Sequence, residues 1–417
     1  MHLHLSSLLK YPAPGPALPQ GQARPTSALI GGRNPSAALA EPARQPAAMT
    51  EDEPEKLVVM ILEGNFRLTG AVLFCLSREP QIVVHMLSRQ ALSPYRYSRY
   101  VRAHHYFPVE NSDAQFVAFA RQLATETGAR VFLPVDVPGM RFTIAHRQQL
   151  APQLHVLPLP TADAYEIATD KGRLAAFMQK HAIPAPDTIL DLGPGLADRL
   201  ARLEFPALLK PVEGDGGHGI TLHKTQADLL RAVADLPAGS RYLIQNCLDG
   251  YDIDCNVLYQ DGQLVAYSIQ KGIIPAASDY LPTTGIEFVH NQAVVDVANQ
   301  LMTALRWNGV AHLDLRFDAR TNQIRVIEVN TRFWLTVVGS AITARVNFPV
   351  LACRAALGRP ILQSAYQLGR YIPFTNFIRY KYGSRVKNKI PFTLRDTSIL
   401  GFLGDPLPKL YNFFYSA

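Results

Sequence analysis

The sequence predicts an α/β fold in two or three domains, and three observations carry the prediction. Short apolar runs alternate with helical periods between residues 57 and 136, a strand ending in lysine leads into a glycine-rich loop after residue 210, and two strands near residue 320 alternate apolar with acidic and amide side chains. A chain of 417 residues with 48% hydrophobic residues has ample material for more than one core.

The first fifty residues contain eight prolines and four glycines, with no acidic residue before Glu41, which predicts a disordered extension over residues 1–54. The apolar stretch near Leu8 is short and broken by Pro12, Pro14 and Pro16, which argues against a secretory signal. An organelle transit peptide and an alternative start at Met49 both stay open. From Leu57 the pattern becomes βα, and residues 55–160 read as a small parallel sheet wrapped by helices. Leu57–Leu62, Ile82–Val84 and Val131–Leu133 are buried-strand runs. Gly64 and Gly70 flank the start of an apolar helical stretch to Leu76. Phe116, Phe119, Ala120 and Leu123 recur at helical spacing within Asp113–Thr127, closed by Gly128. The two early glycines do not make a G-x-G-x-x-G fingerprint, and there is no G-x-x-x-x-G-K-[ST] stretch, so dinucleotide and P-loop chemistry are disfavoured.

Phe205–Pro211 reads as a short buried strand carrying Lys210, followed by Glu213, Gly214, Asp215, Gly216, Gly217, His218 and Gly219. Glycines let a backbone approach a phosphate closely and turn its N–H groups inward, while a lysine supplies a point charge. A hairpin turn has the same composition, so the loop alone leaves both readings open. Further on, His312–Asp318 and Ile327–Arg332 flank the turn 318–322. At period 2, Asp314 shares a face with His312 and Arg316, and Glu328 with Asn330 and Arg332. If the strands pair, two acids and an amide converge, the oxygen set that a hard divalent cation takes together with substrate phosphates. An amphipathic hairpin with a solvated polar face is the competing reading.

The succession of lysine strand, glycine loop and Asp…Glu-x-Asn hairpin resembles the ATP-grasp superfamily, and within it the carboxylate-amine ligases. The resemblance runs from about Ala164 to Gly358. It implies an ATP-grasp fold, in which a small parallel βα domain precedes two α+β subdomains that clasp ATP, here residues 161–360 with a hinge at 243–252. Ala168–Lys171 and Ala182–Pro186 resemble the family's helix-opening lysine and the turn that follows it. The resemblance implies that Lys171 and Lys210 hold ATP phosphates and that residues 213–219 cover them. It further implies that Gln245, Asn246, Cys247 and Leu248 meet adenine, that Asp252 meets the ribose, and that Asp314, Glu328 and Asn330 bind Mg²⁺, or Mn²⁺ in its stead. The chain departs from the pattern where Gln245 and Asn246 stand in place of hinge glutamates, where Asp252 replaces the usual Glu, and where Thr331 replaces proline.

The implied activity is activation of a small carboxylic acid as an acyl phosphate and its transfer to an amine, with release of ADP and phosphate. Arg332 is the candidate for holding the carboxylate or the transferred phosphoryl group. Lys271 and the segment 272–285 are candidates for closing over the site and excluding water. A non-catalytic ATP-binding module, a carboxylase and an acid–thiol ligase are the alternatives, although neither a biotin-carrier lysine motif nor a CoA-binding segment is evident. The substrates cannot be read from the sequence. Oligomeric state is open as well, although homodimers are common in the family.

The formal charge of +7 accompanies only 18% charged residues. Anionic ATP accounts for part of that balance, and no RNA-binding aromatic signature is present, so no nucleic-acid partner is expected. No apolar run approaches the ~18 residues that span a bilayer. Cys75, Cys247, Cys255 and Cys353 are scattered without a metal or disulfide pattern, as in a reduced cytoplasmic protein. Residues 361–417 interleave basic and aromatic residues from Arg370 to Tyr415. They read either as a surface for a membrane, an anionic polymer or a partner, or as a packed extension with solvated lysines, the reading favoured on sequence.

Overall fold

A computed structural model describes residues 56–108, 110–213, 217–274, 283–361, 365–383 and 389–415. The extension expected over residues 1–54, Gly214, Gly216 and most of the segment expected to close over the site lie outside the described residues.

Strand β1 (Leu57–Leu62) opens a parallel sheet and is followed by α1 (Phe66–Leu76), β2 (Ile82–Ser88), β3 (Ala103–Tyr106), α2 (Asp113–Thr127), β4 (Val131–Pro134), α3 (Val137–Leu150) and β5 (His155–Val156). The strand order is β3-β2-β1-β4-β5, and each neighbouring pair is parallel. A sheet of this kind is covered on both faces, which explains the unbroken apolar run of β1. Val59 and Ile61 enter one core, while Met60 and Leu62 enter another with Phe116, Ala120 and Phe132. The ends of α2 follow from its sequence. Ser112 and Gln115 form a reciprocal capping box, and Gly128 closes the helix in the left-handed region at φ 71°. Strand β3 was not legible in advance, since its four residues include two histidines and lie at a sheet edge.

The chain continues through α4 (Ala162–Thr169), α5 (Lys171–Lys180), β6 (Thr188–Ile189), α6 (Leu196–Leu200), β7 (Ala207–Pro211), β8 (Thr221–His223), α7 (Gln226–Ala234) and β9 (Tyr242–Asn246). Here the strands form an antiparallel sheet ordered β6-β9-β7-β8. Ala207, Leu209 and Ile244 pack with Leu196, Leu200 and Leu229 of α6 and α7. Alternation therefore sends Lys210 to the face away from these helices.

The remaining elements are β10 (Gly250–Gln260), β11 (Gln263–Ile274), β12 (Gly285–Phe288), α8 (Gln292–Ala304), β13 (Gly309–Asp318), β14 (Gln323–Asn330), α9 (Val337–Ile342), α10 (Phe348–Ala356), β15 (Gly369–Tyr371), α11 (Phe374–Ile378), α12 (Ile399–Gly404) and α13 (Leu407–Tyr415). Six strands make one sheet in the order β14-β13-β10-β11-β12-β15. Ile253, Cys255, Leu313 and Leu315 lie on its apolar face in one core with Val294, Ala298 and Leu301 of α8. Gly250 starts β10 at φ +145°, where a Cβ would come within 1.8 Å of the Phe317 carbonyl oxygen. Only glycine permits that approach of β10 to β13. The same core reaches the parallel sheet through α1, where Asn347 Nδ2 donates to the Cys75 carbonyl at 2.8 Å. All four cysteines are free thiols. Among the described residues, no helix is long and apolar enough to cross a membrane.

Candidate active site

Strands β13 and β14 pair as the alternation requires. His312 lies opposite Asn330 and Asp314 opposite Glu328, and a bulge follows Asp314. Because directly opposed residues leave a sheet on the same side, His312, Asp314, Glu328 and Asn330 share the face opposite α8. β10 adds a residue to this face that sequence reasoning missed. Asp254 lies opposite Asp314, and Asp254, His312 and Asp314 each place one ligating atom within 4.8 Å of the others.

His312 is nonetheless a counter-charge rather than a ligand. Its Nε2 is 2.8 Å from Asp314 Oδ1 and its Nδ1 is 2.6 Å from Asn256 Oδ1. The orientation of Asn256 is fixed in turn, since its Nδ2 donates to Gln270 Oε1 at 3.2 Å, while Gln270 Nε2 donates to Asp254 Oδ2 at 3.0 Å. Both imidazole nitrogens thus face oxygen acceptors and both carry protons. Burial works against the charged ring, but the charge and hydrogen bond of Asp314 and the charge of Asp254 outweigh it and raise the group above the ordinary imidazole range. Replacing His312 with leucine should leave Asp254 and Asp314 buried without their cation, destabilising the fold by about 3 kcal/mol in a denaturant titration. A stability within ~0.5 kcal/mol of wild type would remove this assignment.

The other carboxylates are crowded. Burial raises the Glu328 carboxyl to about 7, and the negative charge of Asp314 adds to the effect, while Lys171 and Lys210 oppose it. Asp314 itself is held low despite burial, by the charge and hydrogen bond of His312 and by a hydrogen bond from Glu328. Such a bond between two carboxyl groups requires a proton held between them. A divalent cation can take the place of that proton, and two carboxylates with the Asn330 amide oxygen are the donor set it accepts. Asn330 Nδ2 donates to Asp314 Oδ2 at 3.1 Å, and Arg332 Nη2 donates to Asn330 Oδ1 at 3.1 Å. Arg332 is thereby held beside the cluster, with Nη1 on the Phe333 carbonyl at 2.9 Å.

Two lysines meet this face from outside the six-stranded sheet. Lys171 is the first residue of α5, and its Nζ lies 3.6 Å from Glu328 Oε2. Lys210 comes from β7 and is buried, with Nζ donating to Gln245 Oε1 at 2.7 Å. Burial lowers the Lys210 ammonium to about 8 even though Glu328 attracts its charge. Gln245 Nε2 reaches Thr188 Oγ1 at 3.1 Å, so the amide at the hinge joins β7, β9 and β6. Next to it, Asn246 Oδ1 is buried without a hydrogen-bond donor, an acceptor available to a ligand that offers an N–H.

Cys247 and Leu248 continue this hinge, half-buried and buried respectively, and the Leu248 carbonyl accepts from Arg316 Nε at 3.1 Å. Arg316 also binds the Asp252 carboxylate, so the ribose candidate carries an arginine partner. Glu213 is exposed at the rim, 3.6 Å from Arg241. His218 is exposed in the glycine loop, between Gly217 and Gly219, which have φ of 78° and 76°. Lys271 departs from expectation. It lies opposite Ile253, which sends its side chain to the apolar face, and its Nζ stands 3.7 Å from the Tyr251 ring centroid. The geometry does not bring it to the carboxylates.

The lysines, the hinge acceptor and the carboxylate hairpin lie within one recognisable unit, since residues 168–336 match the family model of the ATP-grasp domain. The chain carries an ATP-grasp domain over those residues. The arginine-specific large chain of carbamoyl phosphate synthase from Geobacillus stearothermophilus is 21% identical over 238 residues, 55% of this chain and 23% of that protein. The D-alanine--D-alanine ligase of Solibacter usitatus is 22% identical over 226 residues, 49% of this chain and 69% of that enzyme. Two of the curated relatives are spanned for only 23% and 47% of their own length. Among solved structures, the L-amino acid ligase from Bacillus licheniformis superposes with a TM-score of 0.55 at 19% identity, covering 73% of this chain and 75% of that one. That likeness establishes the ATP-grasp fold.

Proposed function

We propose that this ATP-grasp chain is an ATP-dependent carboxylate-amine ligase, which activates a carboxylate as an acyl phosphate and joins it to an amine. The observation that carries the reading is the contact of Lys171 with Glu328, a member of the Asp314–Glu328–Asn330 oxygen set, with the buried Lys210 near enough to feel the charge of the same carboxylate. The chain's similarity to a D-alanine--D-alanine ligase and to an L-amino acid ligase supports amino acids as the substrate class. Residues 55–160 then form the first domain, 161–360 the clasp and 361–417 an extension.

In this reading the chain's own residues position and neutralise. Asp314, Glu328 and Asn330 hold Mg²⁺, whose charge would offset that of the nucleotide phosphates. Lys210 and Lys171 draw the same phosphates onto the carboxylate face, and the glycine-rich loop after Lys210 is the candidate to cover them. The hinge residues 245–248 take the adenine, and Asp252 takes the ribose beside Arg316. Arg332 offers a planar pair of donors to the substrate carboxylate or the phosphoryl group. A carboxylate oxygen bonds to the γ-phosphorus as the bond to ADP breaks. The amine nitrogen then attacks the carbonyl carbon, phosphate leaves and the amine loses a proton. Positioning and charge supply most of the acceleration in such transfers.

The test is ADP release from MgATP with pools of amino acids, followed by trapping with hydroxylamine. A hydroxamate that forms only with particular acids is expected. ADP release indifferent to every acid and amine, or absent throughout, would remove the ligase reading.

A further inference from the structure

The C-terminal helices are turned inside out relative to a solvated surface helix. In α13, Pro408 is buried and Tyr411 and Asn412 are half-buried, which is an i, i+3, i+4 stripe, and the Tyr411 ring lies 5.1 Å from that of Tyr97. On the outward side, Leu407 and Leu410 are 56% and 51% exposed, and Phe413 and Phe414 are 76% and 69% exposed. α12 does the same. Its Phe402 ring lies 5.4 Å from that of Phe374, while Leu400 and Leu403 are each 64% exposed. Nine of the sixteen exposed large hydrophobic side chains among the described residues fall between Ile378 and Phe414, so exposed apolar groups are concentrated in this stretch of the chain.

Charge is concentrated in the same segment. Residues 361–417 hold eight Lys or Arg against two Asp or Glu, a net +6 of the chain's +7. The two acids are already engaged within the protein. Asp405 is buried against Ser98 and the Arg99 backbone, and Asp396 accepts from the Thr393 backbone. Lys409 lies among the apolar groups, its Nζ 4.7 Å above the Phe402 ring and 2.9 Å from the Gly401 carbonyl oxygen.

We propose that this face docks the protein onto an anionic lipid surface, with α12 and α13 lying in the interface plane. Exposed Leu and Phe beside a basic excess is the pattern that such a surface satisfies from both sides, with acyl chains for the apolar groups and negative headgroups for the lysines and arginines. A second copy of the chain would bring the same positive charge to a self-complementary contact, which opposes it. Nucleic acid would neutralise the charge but leave the leucines and phenylalanines without a partner. At nine residues, α13 is too short to span a bilayer, so attachment is peripheral. The inference does not depend on the ligase reading.

Full-length protein is to be sedimented with vesicles of phosphatidylcholine alone and of phosphatidylcholine and phosphatidylglycerol in equal parts. Binding to the anionic vesicles is expected to exceed binding to the neutral ones at least ~10-fold and to fall as salt rises from about 0.05 to about 0.5 M. The variant Leu410→Glu/Phe413→Glu should lose ~10-fold or more of that binding, with circular dichroism and melting temperature unchanged. Equal sedimentation with both vesicle types, or undiminished binding of a folded double variant, overturns the proposal. So does a wild-type dimer, seen by light scattering, that the double variant splits while neither protein binds vesicles, because a second copy then covers the face.

Discussion

Replacing Glu328 with glutamine is expected to cut ADP production by ~10²-fold or more while ATP binding changes far less. Glu328 lies between Lys171 and Asp314, and burial together with the Asp314 charge already disfavours its ionised form. A glutamine of the same shape keeps the packing and removes the anion, so the empty protein should be as stable as wild type or more so. Loss of function at unchanged or improved stability is the signature of a residue held against its own electrostatic preference. Asn330→Asp should also be damaging, because it adds a third acid to the oxygen set. Thr331 supplies the control. It is buried on the other side of the strand, with its hydroxyl 3.0 Å from that of Thr169, and Thr331→Ser keeps that bond. Binding is read from melting, where MgATP at about a hundred times its Kd adds roughly 2.7 kcal/mol. Equal ADP production by Glu328→Gln and Thr331→Ser would mean that the strand does not face the chemistry.

The parts of this site that could be read from the chain are those that local rules determine. Period-2 alternation puts Asp314 and Glu328 on one side of a hairpin whose register is confined by a short turn, and the structure pairs them directly. The buried βα units follow from unbroken apolar runs. Asp254, Asn256 and Gln270 were not legible, because they reach His312 only through the pairing of β10 with β13 and β11, across more than forty residues of sequence. Lys271 was misplaced for the same reason. Its neighbour Gln270 reaches Asp254 on the site face, and a shift of one position along the strand sends the lysine to the other side. The outward apolar stripe of α13 was equally hidden, since helical periodicity establishes two faces but does not say which of them docks.

Lys210→Ala is expected to lower ATP turnover by ~10²-fold or more with the fold intact. The side chain is buried, and the cost of burying its charge is what brings the ammonium down to about 8. Truncation leaves Gln245 Oε1 without its donor, which costs about 1–3 kcal/mol. Part of that loss is offset by removing a buried cation that Lys171 and Arg316 repel. Function is affected differently. Phosphates require the protonated lysine, so above pH about 8 the free enzyme must take up a proton to bind ATP, and affinity should weaken as pH rises through that value. In the alanine variant this limb should be absent, leaving a KM for ATP that is high and nearly flat with pH. A steep rise of KM above pH 8 in the wild type alone would tie the limb to this one lysine. Wild-type turnover in a Lys210→Ala protein with native circular dichroism would instead reduce Lys210 to a buried partner of the Gln245 amide, and the phosphates would have to be held elsewhere.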